Sequence, residues 1–167
     1  NPTKYTNTEL FNGSSWTELN DLNTGRANAY GFGISTAAVA AAGYGGGPGG
    51  PGAAQAEVET WNGTSWTETT DVPSPAYAGG SAGISTSGLI FGGITTPPFS
   101  VLSQNTKSWN GSAWTELSDL NTDRYSLGGA GATATAALAS TGNNGSSTQT
   151  ATESWNGSSW TEVNDVN

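Results

Sequence analysis

Trp61-Asn62-Gly63-Thr64-Ser65-Trp66-Thr67-Glu68 is the stretch from which the fold of this chain is read. Asn-Gly between β-prone flanks is the strongest short hairpin signal, because both residues tolerate positive φ. With Trp61 and Trp66 on either side, the two indoles can face each other as a cross-strand pair. The string recurs at Phe11–Trp16, Trp109–Trp114 and Trp155–Trp160. Each copy continues with Thr-Glu, two further residues and Asp: Glu18/Asp21, Glu68/Asp71, Glu116/Asp119 and Glu162/Asp165. Trp16, Trp66, Trp114 and Trp160 stand 50, 48 and 46 residues apart, which excludes an aperiodic domain.

The unequal steps have one address. Trp16 to Arg26, Trp66 to Ala76 and Trp114 to Arg124 is always ten residues, whereas the way onward to Trp61, Trp109 and Trp155 is 35, 33 and 31. With Ile34, Ile84 and Ala132 aligned, the change falls after Gly43, Gly93 and Thr141. A fixed scaffold with one variable loop per repeat has this signature.

Four short strands are predicted per repeat. The first is Gly-rich: Ala27–Ser35, Tyr77–Ser85 and Tyr125–Thr133. The second is apolar: Ala37–Ala42, Gly88–Gly92 and Ala134–Ala139. The third is Ala56–Trp61, Asn105–Trp109 and Ala151–Trp155, and Asn-Gly turns it into a fourth around Trp66, Trp114 or Trp160. Four strands per 40–50 residues is the arithmetic of a β-propeller blade. The expected fold is therefore all-β, with the Gly-rich strands innermost and the aromatics supplying the core. Phe11, Trp16, Trp61, Trp66, Trp109, Trp114, Trp155 and Trp160 are the expected core residues.

Composition removes whole classes of function. The 167 residues contain no Cys, His or Met, and four Lys plus Arg against thirteen Asp plus Glu. That excludes zinc fingers, haem sites, thiolate nucleophiles, Ser-His-Asp triads and disulfide frameworks. A charge of −9 argues against nucleic acid and anionic membranes, and no run approaches the ~20 apolar residues of a membrane span. Hydrophobic content is only 34 %, yet seven Trp, five Tyr and four Phe argue against disorder. Ser, Thr, Asn and Gly carry the polarity, a profile that fits an extracellular, virion or cell-surface β-protein.

Arg26, Gly45-Gly46, Glu59-Thr60-Trp61 and Trp66 together resemble the kelch repeat. The second copy shows Gly92-Gly93, Lys107-Ser108-Trp109 and Trp114. The third has Arg124, Gly142, Glu153-Ser154-Trp155 and Trp160. Ala76 replaces the arginine in the second copy, and the third lacks the glycine pair. Trp61, Trp109 and Trp155 stand where kelch repeats usually carry Tyr. The Trp-Asn-Gly-x-x-Trp-Thr-Glu variant also resembles kelch-like arrays of marine phage and bacterial surface proteins. The resemblance implies a propeller of four-stranded blades: a terminal half blade (1–23) and blades at 24–70, 71–118 and 119–167. With this phase, and with Asn rather than Met at position 1, the chain reads as an excerpt of a longer array. Strand exchange between subunits would equally protect the open edges.

The variable loops Tyr44–Gln55, Ile94–Gln104 and Gly142–Thr150 are the expected binding regions, with Tyr44, Phe99 and Asn143 as candidate contacts. The Gly-Pro run at 45–52 also has the make-up of a spacer, and no Lys or helix follows to make it a phosphate cradle. Asn12, Asn62, Asn110, Asn156 and, separately, Asn144 lie in Asn-Gly-Ser/Thr sequons. Turn chemistry already explains Asn-Gly at the four hairpins, and a glycosylating host would use them for glycan display. Arg26 and Arg124 read as structural ion pairs, with the repeated acids as candidate partners, or as contacts to an anion. The acids themselves lack EF-hand spacing and are spread one set per repeat, which suits neither a metal site nor a glycosidase pair.

Four functions compete. A non-enzymatic structural or adhesive module, part of a phage appendage, adhesin or fibre, fits best. It needs no catalytic residue, metal or cofactor, and implies self-association or a continuing chain of like repeats. A carbohydrate- or protein-binding propeller recognising surface glycans or a host-surface protein is the alternative. An enzyme resembling the galactose oxidase kelch domain fails on residues, since its copper site needs His and a Cys-linked Tyr. An intracellular kelch adaptor for acidic peptides would want more basic loop residues.

Overall fold

The computed structural model describes residues 4–45, 52–95 and 101–166. These residues form four antiparallel sheets and no helix. The first sheet has two strands, β1 (Glu9–Phe11) and β2 (Trp16–Glu18). The second comprises β3 (Arg26–Ala27), β4 (Tyr30–Ile34), β5 (Ala37–Gly45), β6 (Ala53–Trp61) and β7 (Trp66–Thr69), with β3 and β4 pairing successively along β5. The third runs β8 (Gly80–Ile84), β9 (Ser87–Phe91), β10 (Thr106–Trp109), β11 (Trp114–Leu117). The fourth runs β12 (Gly128–Thr133), β13 (Ala136–Ser140), β14 (Thr152–Trp155), β15 (Trp160–Val163).

Each Asn-Gly string forms the outer hairpin of its sheet. Phe11 pairs with Trp16, Trp61 with Trp66, Trp109 with Trp114 and Trp155 with Trp160, with ring centroids 5.1–5.3 Å apart. The Asn side chain closes the turn: Asn62 Oδ1 accepts both Thr64 N and Ser65 N at 2.9 Å. The third-strand indoles then bond the inner turn of their own sheet. Trp61, Trp109 and Trp155 donate to the carbonyls of Ser35, Ser85 and Ala134.

The sheets meet along their inner strands, β8 lying against both β4 and β12. Backbone bonds tie them together, among them Ala78 N to Asn28 O (2.9 Å) and Ser126 N to Ala78 O (2.6 Å). Asn28, Ala78 and Ser126 are repeat-equivalent and all hold positive φ, which breaks the first strand early. Gly129 shows why this layer is Gly-rich. A Cβ there would lie 2.6 Å from the Ser81 backbone nitrogen, a separation that no side chain tolerates.

Two apolar cores fill the spaces between sheets. One joins Tyr30, Phe32, Val39 and Val58 of the second sheet to Ile90 and Trp109 of the third. The other joins Ala82, Leu89 and Phe91 to Ala137, Ala139, Trp155 and Trp160. Phe32 meets Trp114 edge-on across the first joint, and Phe91 meets Trp160 across the second. Two expected core residues lie elsewhere. Phe11 and Trp16 are 49 % and 66 % exposed, because no described residue packs over them. Trp66 and Trp114 are half-buried.

Candidate functional site

Three repeat-equivalent residues mark one end of the sheets: Tyr44 near the end of β5, and Ile94 and Asn143 as isolated bridges just beyond β9 and β13. These residues pair in register with Ala27, Tyr77 and Tyr125. The variable segments leave from this end. The strands run further into it than expected, since β5 and β6 pair through Gly45 and Ala53, so Tyr44 and Gln55 belong to strands and not to a loop. Tyr44 packs on Tyr77 of the next sheet with ring centroids 5.0 Å apart, and Lys4 Nζ lies 5.9 Å above the Tyr44 ring. Desolvation, and secondarily Tyr44, holds the Tyr77 hydroxyl above its ordinary pKa. Asn143 bridges Tyr125 and Thr148, and its Oδ1 accepts Gly145 N at 2.7 Å. A concavity of about 510 Å³ opens here between Tyr125, Asn143, Gln149 and Val166. Phe99 lies outside the described residues, as does the run 46–51.

Tyr44 and Asn143 thus share one end of the molecule, joined there by Tyr77, Tyr125 and the 62 % exposed Tyr5. The tyrosines at 77 and 125 went unselected in the sequence because they open the predicted first strand. Their recurrence immediately after Ala76 and Arg124 was the available signal. This row of rings can stack on sugars or flat polar groups, but it contains no nucleophile paired with a base. Among the described residues no group of three acidic side chains could hold a metal ion.

The sequon asparagines sit at turns. Asn12, Asn62, Asn110 and Asn156 are exposed at the outer hairpins, and Asn144 forms the same turn with Ser146 N and Ser147 N in the variable segment. In each, Oδ1 is committed to the turn backbone.

The charged chemistry lies inside. Arg26 donates to Glu59 Oε1 (2.6 Å), to the carbonyls of Ala42 and Glu57, and through Nε to Thr24 O. Glu59 also accepts Asn23 N and Nδ2 and Thr24 N. Arg124, Glu153, Thr141, Ala151 and Asn121 repeat most of this network, although Arg124 Nε has no hydrogen-bond partner among the described residues. Both ion pairs are buried. Their acids come from the Glu-x-Trp position of the third strand, not from the Glu/Asp series after the fourth-strand Trp. That series is solvated and local: Asp21 and Asp165 accept Thr6 and Thr150 hydroxyls.

In the middle sheet both partners change together, to Ala76 and Lys107. Lys107 is 3 % exposed and makes no salt bridge among the described residues. Burial pushes its amine below the usual lysine range, against the opposing pull of Glu116 and Asp119. The unfolded chain therefore holds this proton more tightly. The destabilisation is complete below the lowered folded value and fades as pH climbs toward the ordinary 10.5. Lys107→Met should flatten that alkaline gain, which urea titrations of both proteins from neutrality upward will show; an unchanged slope would refute it.

Comparison with protein-family models gave no match, and comparison with curated proteins gave none.

Proposed function

We propose that the chain is a non-enzymatic structural or adhesive module built of kelch-like β-propeller blades, working outside the cell or on a virion or cell surface. The observation that carries this reading is where the chemically capable groups are spent. Both arginines and their glutamates lie in buried internal networks, one in the second sheet and one in the fourth. Three sheets of one pattern, meeting along Gly-rich inner strands, support the blade arrangement. The composition, rich in Ser, Thr, Asn and Gly with few charges, supports a surface location.

The tyrosine end favours a second reading, a propeller that binds surface glycans or a host-surface protein. Calorimetric titration with soluble glycans and peptides separates the two. The scaffold reading expects no saturable binding, and alanine at Tyr44 or Tyr125 to change little beyond local stability. Saturable binding of a glycan that disappears in Tyr125→Ala would replace the scaffold with the binding module.

A further inference from the structure

The chain has no Cys and no Met, the two side chains that ordinarily absorb oxidising equivalents first. One-electron oxidants therefore fall on its tyrosines and tryptophans. Trp61, Trp109, Trp155 and Trp160 are buried. Tyr30 is sealed away as well, 2 % exposed with its hydroxyl donating to Gly92 O at 2.7 Å.

Of the tyrosines that remain, Tyr44 and Tyr77 are in ring contact, with centroids 5.0 Å apart and planes tilted by 58°. That is direct contact for two six-membered rings. Both rings are half-buried, so a small oxidant in solvent reaches them. Desolvation raises the pKa of the Tyr77 hydroxyl, and the Tyr44 hydroxyl adds to the rise, so the two phenol oxygens lie within electrostatic reach of each other.

The backbone holds the pair in place. Gly43 N donates to Ala76 O across the joint between the second and third sheets at 3.0 Å, and these two residues immediately precede Tyr44 and Tyr77. Tyr44 is fixed in β5 by pairing with Ala27, and Tyr77 exchanges two backbone bonds with Ile94, at 3.0 and 2.9 Å. The next joint has the same construction, Gly93 N donating to Arg124 O at 2.7 Å. There, however, Ile94 stands beside Tyr125 in the sequence positions that Tyr44 and Tyr77 occupy. One joint therefore carries two phenols and its equivalent carries one.

We infer that Tyr44 and Tyr77 are an oxidative modification site, at which a peroxide-driven one-electron oxidant joins the rings into a dityrosine link between the second and third sheets. Each phenol gives up one electron and one proton, and the two phenoxyl radicals join through carbons ortho to their oxygens. The hydrogens displaced from those carbons move to the oxygens and restore both phenols. The peroxide takes up the two electrons and two protons and leaves as two waters. Rings held as neighbours couple within the chain in preference to meeting a second molecule. The link depends on the two rings and not on which function the chain serves.

Treatment of the dilute whole chain with hydrogen peroxide and a haem peroxidase tests the site. The expected product stays at 16.8 kDa, lighter by the mass of two hydrogen atoms, and shows dityrosine fluorescence. Denaturation and cleavage after glutamate separates Tyr44 from Tyr77 at Glu57, Glu59 and Glu68, so the link is read as two peptides joined in one species. The melting temperature should rise by roughly 10 °C, the effect of closing a loop of about 30 residues in the unfolded chain. Tyr44→Phe keeps the ring packing and removes the phenol, and should abolish the link. Tyr5→Phe removes the phenol of the 62 % exposed ring and should leave the link intact. A link that maps to any other pair of tyrosines, or that survives in Tyr44→Phe, overturns the inference. So do products found only at multiples of 16.8 kDa, oxygen gained on Trp with no loss of two hydrogens, or a linked chain that melts where the unlinked one does.

Discussion

Arg124→Ala is expected to lower the stability of the fold by about 3–5 kcal/mol, the usual consequence of stranding one member of a buried ion pair. Glu153 would remain buried with its Asn121 donors but no cation. The carbonyls of Thr141 and Ala151 would lose the donors that hold the ends of β13 and β14 together. Arg124→Lys is not a rescue, because one ammonium cannot reproduce the planar fork that serves two carbonyls and a carboxylate. Neutralising the acid as well leaves no charge stranded, so Arg124→Ala combined with Glu153→Gln should recover a substantial part of the loss. A double-mutant cycle by chemical denaturation reads this directly, and additive effects of the two changes would refute the coupling.

Trp109→Ala should cost about 3–5 kcal/mol as well, for a different reason. Trp109 is 1 % exposed, spans the core between the second and third sheets, and donates to Ser85 O. Its removal leaves a cavity and frees a turn carbonyl. For a chain of this size that corresponds to a fall in melting temperature of roughly 10 °C. Trp16→Ala removes the same kind of side chain from a repeat-equivalent hairpin, yet it should move the melting temperature by only a degree or two, since surface changes usually lie within about 0.5 kcal/mol. Calorimetry of both variants decides the point. Equal losses would mean that Trp16 is held by contacts of the same weight.

Much of this architecture was legible in the chain. The Asn-Gly strings marked the four outer hairpins and their register, because Asn closes its own turn through local bonds that need no tertiary help. The Gly-rich strands were legible as inner strands for a steric reason that the Gly129–Ser81 approach makes plain. The paired exchange to Ala76 and Lys107 was also present in the sequence, but nothing local links residues some thirty positions apart. Only the sheet register brings them together.

What the sequence determined by itself is everything set within one repeat: period, strand count, turn chemistry and the exclusion of His- or Cys-based catalysis. These depend on backbone preferences and side-chain reach over a few residues. Tertiary structure alone decided which glutamates meet the arginines. It alone decided which of the eight hairpin aromatics are buried. Burial and pairing between sheets depend on which neighbour is present. Identical strings at Trp16 and Trp160 therefore end in opposite environments, one in solvent and the other in the core.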